Sequence, residues 1–390
     1  MIKRSLESYI KKLTDKYPII SVSGPRQSGK TTLLKMLFPH YAYVNAENLD
    51  DRLALEEDPR GFLAQYGDSG IVIDEAQRVP AIFSYLQPFV DDTRVMGKII
   101  LSGSQNFLLM EKITQSLAGR VGLVNLFPFT LEELKPTRYW YEDVTYYLFS
   151  GMYPAIYDRG IEPVDYYPNY LQTYVERDVR SIKNIGDLNT FSRFLQLCAA
   201  RVGQVLNYSS IANDLGIDHK TAKSWISVLE ASYIIFLLNP HFKNYNKRVI
   251  KQPKLYFYDT GLATSLLRIR RKEDLYSFYL KGNLFENFII SEYVKNSFHA
   301  GRQPDAFFFR DSSGNEIDLI IDRSGFPIPV EIKSGATINQ EFFKGLQKYQ
   351  ELSNVLPEES FLVYSGDISV KRKYAQVLSW KDLGRLGGSV

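Results

Sequence analysis

Cysteine is nearly missing from this chain: Cys198 is the sole one in 390 residues. A disulfide within the chain is therefore impossible, and a zinc site built on several thiolates is excluded. Its surroundings, FLQLCAARV, read as an apolar helix face, so a buried inert thiol is expected. Long hydrophobic runs are missing too. No stretch approaches the ~18 consecutive apolar residues of a membrane-crossing helix. The opening MIKRSLESYIKKLTDKYP is charged and helical in pattern, without the apolar centre of a secretory leader. No membrane partner is expected, and the cytoplasm is the expected compartment. Excess charge is small, +3 in all, so any nucleic-acid contact has to come from a local basic patch. Internal repeats and low-complexity tracts are absent; the tail GRLGGSV reads as frayed.

Apolar residues make up 45% of the chain and charged residues 23%, the balance of a globular protein with a real core. The length suggests two or three domains. The 27 Tyr and 24 Phe are read as aromatic-rich cores in preference to a stacking surface. From Ile19 to about Glu133, apolar runs alternate with helical stretches: IISVS, YAYV, IVID, IILSG and VGLVNLF. That alternation argues for a parallel sheet covered on both faces. From about Tyr147 to Arg271 the pattern is mainly helical, ending in SYIIFLL and KLYFYD. From Lys272 onward an amphipathic helix over Leu284–Phe298 is followed by strands AFFFR, EIDLIID and PIPVEIKS, a helix near Gln340–Leu352, and a strand FLVYSG.

Gly24-Pro25-Arg26-Gln27-Ser28-Gly29-Lys30-Thr31 matches G-x-x-x-x-G-K-[ST] completely, between the strand IISVS and the helix TTLLKMLF. Glycines let such a loop curl so that its N–H groups point at phosphate oxygens, and the helix N-terminus adds a favourable dipole. Lys30 is expected at the β/γ-phosphates and the Thr31 hydroxyl on Mg2+, with Thr32 beside it. ATP and Mg2+ are the expected cofactors. The strand Gly70-Ile-Val-Ile-Asp74-Glu75 ends in two carboxylates. Asp74 is the expected Mg2+ partner through water, and Glu75 the group that orients the attacking water. The plainer reading, an acidic cap on the next helix, loses weight downstream of a complete P-loop. Ile99-Ile-Leu-Ser-Gly-Ser104-Gln105 is another apolar strand with polar residues at its carboxyl end, where ligands of open α/β sheets bind. Ser104 or Gln105 are candidate γ-phosphate sensors, or simply a polar turn. Arg120 is a candidate arginine finger in trans or sensor in cis, with a surface arginine as the alternative. Arg26 lies within the loop and could touch phosphate.

GPRQSGKTTL, IVIDEAQ, LSGSQ and LAGR, in that order, resemble a family of prokaryotic AAA+-like ATPases with a C-terminal region named DUF4143. KLYFYDTGL, GNLFEN and EIDLII…VEIKSG are similar to that family as well, so the resemblance covers nearly the whole chain. It implies nucleotide binding on an AAA+-like sheet and fixes no uniform biological role.

Residues 208–231 read as a helix–turn–helix. Ser209 or Ser210 is the expected first cap, Gly216 the left-handed turn, and Asp218 the cap of the second helix. Ile211, Ala212 and Leu215 face inward from the first helix; Ala222, Trp225, Ile226 and Leu229 do so from the second. The strands beyond are expected to form a wing, with Lys243, Lys247, Arg248 and Lys251 near its tip. Two uses remain open. His219, Lys220, Lys223 and Ser224 would face DNA in a major groove, or the module packs against protein.

Near the end, Glu331 and Lys333 lie two apart on one strand and so share a face. Asp318 sits on the preceding strand among Ile317, Leu319 and Ile320. This set resembles the PD-(D/E)xK nuclease core. The resemblance implies Mg2+ held by Asp318 and Glu331 with Glu286 as the helix acid, Lys333 beside the water, and Gln347 as an occasional further member. The acid lies in Asn-Glu-Ile-Asp, without the Pro-Asp pair. An active nuclease and a catalytically silent binding domain both remain open.

The expectation is an α/β chain in three parts: an AAA+-like P-loop ATPase domain over 1–140, a helical region with a winged helix over 141–271, and a nuclease-like α/β domain over 272–390. ATP binding and hydrolysis would switch the other parts, coupled to DNA binding or processing. The alternative is an ATP-dependent signalling or scaffold protein that binds a protein partner. A trans-acting Arg120 would require a homo-oligomer. Lys30→Ala is expected to abolish tight ATP binding by titration calorimetry; unchanged affinity would remove the whole nucleotide assignment.

Overall fold

The computed structural model describes residues 2–66, 69–104, 117–174, 185, 187–241 and 251–387. Its contacts divide into two compact units. The first comprises Met1–Phe129, Ala231–Tyr233 and Ser297–Arg302; the second comprises Thr130–Glu230, Ile234–Asn296 and Gln303–Val390.

In the first unit, the described residues form a five-stranded sheet of β1 (Ile19–Ser23), β2 (Ala42–Asn45), β3 (Ile71–Asp74), β4 (Ile99–Gly103) and β5 (Val121–Asn125). The order is β2-β3-β4-β1-β5, and every pairing is parallel. The runs that looked uniformly apolar in sequence divide between two faces with a period of two, as a pleated strand demands. Ile19, Ile71, Ile73, Ile99 and Leu101 pack on one face, with Leu55, Leu63, Phe83, Leu86 and Val90 from three helices. Ile20, Val22, Val72, Ile100 and Val124 pack on the other, with Ile10 and Leu13 of the helix Glu7–Thr14 and Leu33 and Leu34 of the helix Lys30–Leu37. A fully buried aliphatic side chain of this kind contributes about 1.5–3 kcal/mol. Both faces are dry, so the polar chemistry is pushed to the carboxyl ends of the strands. This is the P-loop, AAA-like fold expected from the sequence.

The second unit begins with helices whose aromatic residues pack on one another. Tyr153, Tyr167 and Tyr174 are almost fully buried, with Tyr166 and Tyr170 among them. The helix–turn–helix is present as helices Tyr208–Leu215 and His219–Ala231. Its first cap is Asn207, whose side chain accepts from Ser210 N at 3.0 Å; Ser209 and Ser210 lie inside the helix instead. Gly216 takes the left-handed conformation (φ 68°), and Asp218 Oδ1 accepts from Thr221 N at 2.9 Å, as expected. Phe191 and Phe194 of the helix Leu188–Ala199 meet Trp225 edge-on and anchor the second helix, and Cys198 on that helix is buried.

The strands expected as a wing form a hairpin that is also part of a larger sheet. β6 (Ile235–Pro240) and β7 (Lys254–Phe257) pair antiparallel, but β6 also pairs with β8 (Ala306–Arg310). With β9 (Glu316–Arg323), β10 (Phe326–Lys333), β11 (Phe361–Tyr364), β12 (Val370–Lys371) and β13 (Gln376–Ser379), they form an eight-stranded mixed sheet among the described residues, ordered β12-β13-β11-β10-β9-β8-β6-β7. Lys243, Lys247 and Arg248 lie outside the described residues, whereas Lys251 is exposed. The helix expected to be amphipathic is Lys281–His299, and it is buried nearly all round, including Asn287, Glu292 and Lys295. Among the described residues no helix is long and apolar enough to cross a membrane.

Candidate nucleotide-binding site

The loop between β1 and the helix Lys30–Leu37 is shaped by its glycines. Gly24 has φ 149°, and a Cβ there would lie 2.1 Å from the Leu126 carbonyl oxygen. Gly29 has φ 94°, which a side chain would strain. Gln27 is exposed and also left-handed, at φ 60°. Pro25 and Ser28 are buried, and Ser28 Oγ has no hydrogen-bond partner. An orphaned hydroxyl inside a loop of this curvature fits a site built to receive phosphate oxygens.

Lys30 is buried, and its Nζ donates to the Gly24 and Pro25 carbonyls at 2.9 and 2.8 Å. Thr31 and Thr32 are exposed at the start of the helix. Thr31 Oγ1 donates to Asp74 Oδ2 at 2.6 Å, joining the hydroxyl and the acid expected to share a cation. Asp74 is 4% exposed and saturated with donors. Tyr43 OH donates to Oδ2 at 2.5 Å; Ser102 Oγ and Glu75 N donate to Oδ1. Burial works to raise its pKa, but the hydrogen bonds from Ser102, Thr31 and Tyr43 and the Lys30 charge hold the carboxyl below its ordinary value. A carboxylate and a hydroxyl are hard oxygen donors, and the set fits Mg2+.

Glu75 follows in a left-handed conformation (φ 54°), an uncommon one for a side-chain-bearing residue. Its Oε2 accepts from Gln77 Nε2 at 2.5 Å and Ser104 Oγ at 3.1 Å, so the carboxylate is aimed by two neighbours. Gln105 lies outside the described residues. Arg26 Nη1 is 4.0 Å from Glu47 Oε1. Arg120 is not brought to the loop. It precedes β5, and since β5 runs parallel to β1, it sits at the opposite end of the sheet from Gly24. There it makes a two-pronged ion pair with Asp91, at 2.6 and 2.7 Å. A sensor role within its own site is thereby excluded.

Several supports were invisible in the motif. Arg4, 5% exposed, donates to the Ser28 carbonyl at 2.8 Å and the Phe127 carbonyl at 2.6 Å, and so holds the loop from behind. Ser23 Oγ, at the last residue of β1, contacts Asn125 Oδ1 at 2.6 Å and Tyr233 OH at 2.8 Å. Tyr43 and Ser102 carried a weak signal, as polar atoms within otherwise apolar strands; Arg4 carried none.

The second candidate set lies in the second unit. Lys333 Nζ is 2.6 Å from Glu331 Oε1 and 4.0 Å from Asp318 Oδ2, and Ile332 N donates to Asp318 Oδ2 at 2.7 Å. The strand register thus brings Asp318, Glu331 and Lys333 together. Glu286, from the long helix, meets Lys254 Nζ at 2.9 Å and Tyr256 OH at 2.5 Å, both on β7. Burial pushes Glu286 up to about 7 and Glu331 up to about 8, the latter helped by Asp318. Gln347 is half-buried on the helix Lys344–Ser353. Among the described residues no group of three or more His, Cys, Asp or Glu side chains is arranged to hold a metal ion.

Three segments match known families: residues 16–135 an AAA domain, 141–273 a domain of unknown function (DUF8612), and 281–383 a domain of unknown function (DUF4143). An uncharacterized protein of Mycobacterium tuberculosis is 30% identical over 344 residues, covering 86% of this chain and 74% of that one. Another, from Methanocaldococcus jannaschii, is 26% identical over 318 residues, covering 68% of this chain and 65% of that one. A Walker-type ATPase of Pyrococcus abyssi superposes with a TM-score of 0.45 at 16% identity, over 69% of this chain and 96% of that one.

Arg4→Ala leaves the Ser28 and Phe127 carbonyls without their charged donor, a loss of about 1.5–3 kcal/mol. ATP affinity is expected to fall roughly tenfold or more, measured calorimetrically on protein whose melting curve shows it folded. An unchanged affinity would show that the loop holds its shape without Arg4.

Proposed function

The chain belongs to the family of P-loop ATPases that join an AAA domain to a C-terminal DUF4143 region, and from that premise we propose that it binds ATP with Mg2+ and hydrolyses it as a conformational switch. The observation that carries this reading is the junction of the two motifs: Thr31 on the loop helix bonded to Asp74 on β3, with Lys30 nearby and Glu75 next in sequence. The N–H groups from Gly24 to Thr31 receive the phosphates. Lys30 exchanges the Gly24 and Pro25 carbonyls for phosphate oxygens, a stronger charge-assisted contact. Thr31 and Asp74 hold Mg2+, which when bound supplies charge neutralisation at the phosphates. Glu75, aimed by Ser104 and Gln77, orients the attacking water. As a finger, Arg120 serves a neighbouring copy's site, which requires a homo-oligomer.

The cycle is coupled to DNA through the helix–turn–helix. His219, Lys220 and Lys223 are exposed on the second helix, and Ser224 is half-buried beside them. A second reading makes the protein an ATP-dependent scaffold for a protein partner, with a catalytically silent C-terminal region. The lysines already paired with Glu286 and Glu331 favour it.

Glu75→Gln is expected to retain ATP binding and cut turnover at least ~100-fold, leaving ATP trapped; wild-type turnover would move the water-orienting role elsewhere. Steady-state hydrolysis is also expected to rise with one form of single-stranded, duplex or branched DNA, and the rise should shrink with added salt. Indifference to all three forms would favour the scaffold.

A further inference from the structure

Four carboxylates gather at one end of the mixed sheet: Glu286 from the long helix, Glu316 and Asp318 from β9, and Glu331 from β10. Into them β7 delivers a lysine. Lys254 is 2% exposed, and its Nζ lies 2.9 Å from Glu286 Oε1 and 2.5 Å from Glu316 Oε1. The Phe308 ring, 5.5 Å away, covers the ammonium. Tyr256, two residues on along the same strand, donates to the same Glu286 oxygen at 2.5 Å. Two carboxylate oxygens within hydrogen-bond distance hold the amine as an ammonium.

The remaining acids are taken as well. Lys333 pairs with Glu331, Asp318 accepts the Ile332 N–H, and Arg310 lies 3.3 Å from Glu316. Glu331 Oε2 is buried without a hydrogen-bond partner. Mg2+ binds through one or two free carboxylates with water completing about six oxygens, and a single oxygen on a carboxylate already paired with Lys333 does not supply that. A metal entering between Glu286 and the strand acids would meet the ammonium there, a like charge in a dry setting. The set therefore does not fit the Mg2+ that a nuclease-like site requires.

We propose that Lys254 occupies the place of the divalent cation as an internal ammonium, so that this carboxylate set is closed without metal and performs no metal-dependent phosphodiester cleavage. The lysine makes a permanent bond of what elsewhere is an exchangeable one. It also ties β7, which precedes the long helix, to β9, which follows it. The acids then do structural work, holding together segments far apart in sequence. This inference does not rest on the ATPase reading, because its test uses nucleotide-free protein.

The test is Mn2+ binding by electron paramagnetic resonance on the full chain without nucleotide. Wild type and Glu331→Gln are expected to bind equal amounts. Lys254→Ala should bind one further Mn2+, because it leaves the acids without their cation. Its melting midpoint should fall by about 5–15 °C, and Mn2+ should restore part of the loss while leaving wild type unmoved. Mn2+ held by wild type and lost in Glu331→Gln would overturn the proposal. So would a folded Lys254→Ala that gains none. If Lys254→Ala does not fold, the comparison of wild type with Glu331→Gln still decides. Metal-dependent DNA cleavage abolished by Lys333→Ala would overturn it independently.

Discussion

The carboxylate of Asp74 is the constraint on which the first unit depends. A buried acid costs several kcal/mol unless its oxygens are supplied with donors. Here the donors come from two strands, the residue after a third, and a helix: Tyr43 on β2, Ser102 on β4, the Glu75 N–H beyond β3, and Thr31 on the loop helix. Meeting that demand fixes the order of the strand ends around the loop. Had β4 carried an aliphatic residue in place of Ser102, one oxygen would lose a donor and the acid would sit closer to neutral. The parallel sheet brings these ends together because its faces are largely apolar, leaving the carboxyl edge as the place for an acid.

The same logic explains what the sequence disclosed. The P-loop and the Asp74-Glu75 pair were legible because their chemistry is local: a few consecutive residues carry both the turn and the ligands. The strands were legible because β1, β3 and β4 are short apolar runs between helices. Arg4 was not legible, since its partners are the carbonyls of Ser28 and Phe127, and a carbonyl leaves no mark in the residue alphabet. Lys254 was hidden for a related reason. Its acids lie 32 and 62 positions downstream, on elements whose pairing follows from the sheet and not from any spacing. That the hairpin of β6 and β7 continues into a larger sheet was not legible, because it looks the same in sequence whether or not β8 takes its edge. Asn207 displaced the expected serine caps because an Asn side chain reaches the Ser210 N–H while Tyr208 already continues the helix.

The abundance of tyrosine and phenylalanine fits cores more than a stacking surface. Tyr147, Tyr153, Tyr167, Tyr174, Tyr256 and Tyr349 are among the largest fully buried side chains, together with Phe83, Phe127, Phe191 and Phe194. Tyrosine suits an interior that must also hold acids, because it buries a ring and still offers a hydroxyl. Tyr167 donates to Asp259 and Tyr256 to Glu286, as Tyr43 does to Asp74. Three separate buried or half-buried carboxylates thus receive a phenol. A phenol can satisfy an acceptor without contributing a charge; Asp74, with further donors, is held below its ordinary value, whereas burial still raises Asp259 and Glu286.

That difference separates the two carboxylate sites. Around Asp74 the direct donors are neutral, and the exposed Thr31 lies on its outer side. Neutral donors leave the negative charge in place, so a divalent cation arriving with a phosphate gains its full attraction, and a hydroxyl can rotate to accept it. At Glu286 and Glu331 the donors include ammonium groups, which cancel the charge that would attract a cation and have no lone pair to offer it. Both sites contain acids carried by strands and a conspicuous lysine, and by residue type alone they look equally suited to metal. What decides is whether the lysine stands beside the acids, as Lys30 does, bonded to loop carbonyls it can leave, or between them, as Lys254 does, buried with the acids as its own counter-charges.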